Sequence, residues 1–84
     1  LALFEQSTLD LVNIYPNPAI HSLTIESEQN LTIDLTLRDV NGRLIFESHF
    51  NNSTTLSLDR LAKGIYYLTL KSEDKRLVKN IVID

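Results

Sequence analysis

Apolar and polar residues alternate along most of this 84-residue chain. In SLTIES, Leu23 and Ile25 share one face. In TIDLTLRDV, Ile33, Leu35 and Leu37 lie opposite Thr32, Asp34, Thr36 and Arg38. TTLSLD repeats the pattern with Leu56 and Leu58, and GIYYLTLKS with Tyr66, Leu68 and Leu70. A period of two is the mark of a half-buried strand, because successive side chains on a strand point to opposite faces. No segment carries a sustained helical stripe. The pattern predicts about seven strands, near 11–15, 22–27, 32–40, 43–50, 54–59, 65–72 and 75–83. Seven short strands with turns at this spacing predict an all-β fold, an immunoglobulin-like antiparallel β-sandwich. The last strand is ambiguous: Leu77, Ile81 and Ile83 share one parity with Lys79, while Val78 and Val82 lie on the other.

The turns refine this picture. Asn41-Gly42 is a strong hairpin signal, predicting a two-residue type I′ loop with positive φ at both positions. Val40 would then pair with Arg43, Thr36 with Glu47, Leu37 with Phe46 and Ile33 with Phe50. Asp39 would lie at the rim, bonded to turn backbone. NNSTT and SEDKR form further loops, and DRLAKG is the one place for a helical turn. Gly64 would end that turn in a left-handed conformation. Tyr66 would enter the core as a tyrosine corner, its hydroxyl bonded to backbone just upstream. In YPNP, each residue before a proline is pushed into the extended region. Pro16 has no N–H for a neighbouring strand, so it ends β pairing and marks an edge strand. The prolines therefore predict a stiff corner that closes the first strand.

Composition adds mainly exclusions. The net charge is −3, with no basic cluster of the kind that binds phosphates, which argues against nucleic acid. There is no cysteine, hence no disulfide and no thiolate chemistry. No apolar run is long enough to span a membrane. LALFEQSTLD lacks the basic flank and apolar core of a signal peptide. His21 and His49 do not converge with other ligands, so no metal is expected. DVNG lacks the alternating acids of a calcium loop. Ser72-x-x-Lys75 falls in a strand connection, away from the helix start its nucleophile motif needs. Asn30, Asn51 and Asn52 begin glycosylation-type triplets in loops. Asp34, Glu26, Asp59 and Glu47 fall on outward positions. No nucleophile–base pair appears, so neither an enzyme nor a cofactor is expected.

Four segments, VNIYPNPAIHSLTI, LRDVNGRLI, LAKGIYYLTL and KRLVKNIVI, occur in that order and spacing. Together they resemble the C-terminal sorting domain of type IX secretion cargo, the Por-secretion-tail family, type A. The resemblance covers roughly residues 11–83. It implies a β-sandwich that does no chemistry and directs an attached cargo across the outer membrane of a Bacteroidetes-type bacterium. The implied partners are the type IX outer-membrane translocon, a sortase-like peptidase that usually removes the domain, and the upstream cargo in the same chain. The implied location is secreted or cell surface, after passage through the periplasm, with many such cargoes anchored to surface lipopolysaccharide. By position, Tyr15, Pro16, Asn17 and Pro18 match the family's opening motif. Asp39, Gly42 and Arg43 match its central hairpin, and Leu61, Gly64 and Tyr66 its third motif. Lys79 and Ile81 match its closing segment. Residues 1–10 would be the linker from the cargo and 11–84 the sorting domain.

The rival expectation is a fibronectin-III-like adhesion or carbohydrate-binding module, since fold alone does not separate the two. The chain has no tryptophan for a sugar platform, and Tyr67 and Ile65 are the only obvious outward bulky pair. An unpaired first or last strand would also let two copies associate weakly, edge to edge.

Overall fold

The computed structural model describes residues 12–28 and 30–84. The expected linker at residues 1–10 lies outside the described residues. Seven strands form: β1 (Val12–Tyr15), β2 (Ser22–Ser27), β3 (Thr32–Arg38), β4 (Leu44–Asn51), β5 (Ser53–Ser57), β6 (Gly64–Ser72) and β7 (Lys75–Ile83). They make a three-stranded sheet ordered β1-β2-β5 and a four-stranded sheet ordered β4-β3-β6-β7. All ladder pairs are antiparallel. This is a β-sandwich. Relative to the constant-type immunoglobulin arrangement, the fourth strand has moved to the opposite sheet, beside β3.

The alternating residues meet between the sheets. Leu23 and Ile25 from β2, Ile33, Leu35 and Leu37 from β3, and Leu68 and Leu70 from β6 are at most 2% exposed. Each such side chain contributes about 1.5–3 kcal/mol by leaving water. Leu56, Leu58, Phe50, Tyr66, Ile81 and Ile83 complete the core. In β7, Ile81 and Ile83 point inward, while Val78 and Val82 are exposed outward. Lys79 shares the inward parity but is exposed. β7 is an edge strand, and a long side chain there can carry its amine past the rim into water.

Two turns differ from expectation. The β3–β4 hairpin is not a two-residue type I′ turn. Asp39 accepts from the Gly42 N–H at 3.0 Å and donates its own N–H to the Arg43 carbonyl at 3.1 Å. Gly42 has φ 84°, while Asn41 has no positive φ. This is a three-residue loop, Val40 to Gly42, with glycine in the left-handed position. Val40 therefore does not pair with Arg43. The loop shifts the register by one, and a bulge at Ile45 shifts it back, since Arg38 pairs with Leu44 but Leu37 with Phe46. The expected pairs Leu37–Phe46, Thr36–Glu47 and Ile33–Phe50 are all present. Phe46 is nevertheless 43% exposed, and half-buried Ile45 packs on the core.

The second difference is at residues 58–63, where no helical turn forms. A single β-turn closes with the Leu61 N–H on the Leu58 carbonyl at 3.0 Å. Gly64 has φ 149° at the start of β6. That is a glycine-favoured extended conformation, and it does not cap a helix.

Candidate recognition site

β1 ends at Tyr15, as the missing N–H of Pro16 requires. The chain does not then fold directly back into β2. It crosses to the other sheet and lies along the free edge of β7. The Tyr15–Pro16 and Asn17–Pro18 peptides are both cis. Ala19, fully buried, forms a parallel bridge with Ile83. Its N–H donates to the Val82 carbonyl and its carbonyl accepts from the Asp84 N–H, both at 2.8 Å.

Asn17 extends this bridge with its side chain. Its Nδ2 donates to the Asn80 carbonyl at 3.1 Å. Its Oδ1 accepts from the Val82 N–H, also at 3.1 Å. A carboxamide carries the same donor and acceptor as a peptide unit. Asn17 thus occupies two edge positions of β7, between prolines that have no N–H of their own to donate. Tyr15, one step before, is 45% exposed. A hydrogen bond to Glu26 pushes its phenol pKa up, aided by burial and by the carboxylate's charge.

The central hairpin is held by one carboxylate. Asp39 Oδ1 accepts from the backbone N–H groups of Asn41 and Arg43, both at 2.9 Å. Its Oδ2 accepts from Arg43 Nε at 3.2 Å. Hydrogen bonding from the Arg43 backbone lowers the Asp39 pKa. Burial opposes this, and the other turn donors reinforce it. The Arg38 guanidinium adds a bond to the Gly42 carbonyl at 3.1 Å. A Cβ on Gly42 would meet nothing within 4 Å, so the backbone angle alone selects glycine there.

Tyr66 is the expected corner: its hydroxyl donates to the Ala62 carbonyl at 2.7 Å, and the ring is 7% exposed. Half-buried Leu61 packs against the core. Leu61 also borders a groove of about 570 Å³ between the outer strands β4 and β5. Its floor is Leu37, Ile45, Phe46, Leu56 and Leu58.

The strand registers bring these separate motifs to one end of the sandwich. Leu44 pairs with Arg38, and Arg38 with Tyr67. Tyr67 pairs with Asn80, which Asn17 bonds. The proline corner, the Asp39 hairpin, the Leu61–Tyr66 connection and the end of β7 all lie there. Lys79 and Ile81 flank the bonded Asn80. Sequence reasoning missed Ala19, Asn80 and Val82 as partners of the corner, and no local signal names them. It also understated the outer apolar patch. Val82 lies opposite Ile65 and Val78 opposite Thr69, so four exposed residues, Ile65, Tyr67, Val78 and Val82, share that face.

Among the described residues, no three His, Cys, Asp or Glu side chains converge as metal ligands. His21 Nδ1 stands 3.6 Å from Asp59 Oδ1, with both side chains mostly exposed. Solvent screens such a pair strongly.

A family model described as the secretion system C-terminal sorting domain matches residues 13–84. No curated protein matches the chain.

Proposed function

This chain belongs to the secretion system C-terminal sorting domain family, a type IX secretion signal, and on that premise we propose how it is read and processed. The family is not an enzyme family, and its role implies export, an attached upstream cargo and contact with the type IX machinery.

The outer-membrane translocon takes up the folded domain from the periplasm with its cargo. A sortase-like peptidase then cuts in the linker, residues 1–10, and the cargo is anchored at the cell surface. The sorting motif comprises Tyr15, Pro16, Asn17, Pro18, Asp39, Gly42, Arg43, Leu61, Gly64, Tyr66, Lys79 and Ile81, of which buried Tyr66 and Ile81 act by shaping this end of the sandwich. The observation that carries this assignment is the joining of the opening and closing motifs: Asn17 bonds backbone on either side of Ile81, at Asn80 and Val82. A translocon that grips this end of the sandwich meets residues from all four motifs at once.

The test is export of a fluorescent protein fused ahead of residues 1–84 in a bacterium with the type IX system. The intact fusion should reach the surface. Deletion of residues 75–84 should leave it in the periplasm, with folding of the truncated domain checked by circular dichroism. Periplasmic retention of the intact fusion would defeat the reading.

A further inference from the structure

Among the described residues, the edge of β7 is capped over only part of its length. Backbone groups facing away from β6 belong to alternate residues. The Asn80 carbonyl, both Val82 groups and the Asp84 N–H face that way and are bonded by Asn17 or Ala19. By the same alternation, the N–H and C=O of Val78 and Arg76 face that way too. Among the described residues, no strand pairs with β7 on that side, and no hydrogen bond ends on these groups.

The charged side chains of β7 itself are of one sign. Lys75, Arg76 and Lys79 are its charged residues, and β7 has no acid between Lys75 and Ile83. Lys71 pairs directly with Arg76 and adds to the positive field. The nearby acids are Glu73 and Asp74 in the preceding turn, and Asp34 opposite Lys71. Between the cations, Val78 is 52% exposed and presents an apolar side chain outward. The whole chain, by contrast, carries net charge −3. An open edge bearing lysine and arginine disfavours a second copy of itself, because like charges would oppose one another across the new ladder.

Resting on the sorting reading above, we propose that Arg76–Val78 is a docking edge for an extended acidic strand of the export machinery. The incoming strand pairs with the outward N–H and C=O groups of Arg76 and Val78, in the manner of β-strand addition. Its carboxylates meet Lys75, Arg76 and Lys79, and an apolar residue covers Val78. Asn17 sets the limit of the docking edge, since it fills the positions next in line.

Three variants of the full fusion test this in a type IX host. Val78→Pro deletes an N–H that the β6 ladder does not use. K75E/R76E/K79E reverses the charge of the edge and leaves its backbone groups in place. E47K, on the outer strand of the opposite edge, is the control. Val78→Pro and the triple reversal should each lower surface export by about tenfold or more, on the scale of one lost edge bond or charge contact. Both purified domains should keep a cooperative thermal transition, and E47K should be exported like the parent. If the folded Val78→Pro and triple-reversal fusions are exported normally, the docking edge is wrong. If only Val78→Pro fails to export, strand addition stands and the acidic partner is wrong. Should Val78→Pro unfold, the triple reversal alone decides. Failure of the parent fusion to export is a different result, and it removes the sorting reading first.

Discussion

The proline corner and the Asp39 hairpin solve the same problem with different reach. In each, one side chain substitutes for missing backbone partners. Asp39 bonds N–H groups two and four residues ahead. Asn17 bonds groups 63 and 65 residues ahead. The hairpin is therefore a local device, available as soon as its few residues turn. The corner exists only when the sandwich is assembled, because β7 must already stand beside it. Local closure costs little chain entropy and long closure more. The Asp39 hairpin should accordingly survive damage elsewhere, while the corner should report on the integrity of the whole domain.

The largest effect should come from enlarging Ala19. It is fully buried and bridged to β7, so Ala19→Leu should cost about 1–3 kcal/mol by overpacking. Val40 in the hairpin is 60% exposed, and Val40→Leu should stay within about 0.5 kcal/mol. Urea midpoints of the two variants measure the contrast, and equal losses would break it. Next, Asn17→Ala should cost about 1–2 kcal/mol for its two hydrogen bonds. It should speed amide exchange at Val82 but not at Arg43. Asp39→Ala should do the reverse, and exchange that rises at both sites in either variant would mean the turns are coupled. Tyr66→Phe tests another local tie, the bond to Ala62, and should cost about 1 kcal/mol. An unchanged denaturation midpoint would show that this bond contributes nothing.

The smallest effect is a pH dependence. The folded Asp39 pKa lies below its ordinary value. Its contribution is therefore fully present above the unfolded pKa, and is lost as pH falls through the lower folded one. Acid should loosen the hairpin amides before those of the corner. Asp39→Asn should abolish this pH response, as read by amide exchange between neutral and strongly acid solution.

What the sequence made visible follows the same division by reach. The strand pattern, the Asp39 turn bonds and the Tyr66 corner all depend on residues within a few positions, and period and turn chemistry expose them. The Asn17 clip does not, since nothing near residue 17 points to Asn80 or Val82. Beyond the bulge the β3–β4 register is legible in the sequence, although the turn type and the pairs beside it are not. The longer loop and the bulge at Ile45 cancel, and a period of two detects only their sum. The inward parity of Lys79 obscured β7 because a pattern cannot tell an edge strand from a central one. The site residues became a group only through the registers that place Arg38, Tyr67 and Asn80 in one row.

The parallel course of Ala19 and Ile83 has a mechanical meaning. Tension on the chain before Val12 pulls the corner backward, while a grip on the last strand pulls β7 forward. Two parallel segments drawn in opposite directions are in shear, so the Asn17 and Ala19 bonds stretch together and none peels open first. A cargo hauled by this domain would put its weight on that short seam. Single-molecule pulling from those two points would read the seam's strength, with a lower rupture force expected for Asn17→Ala.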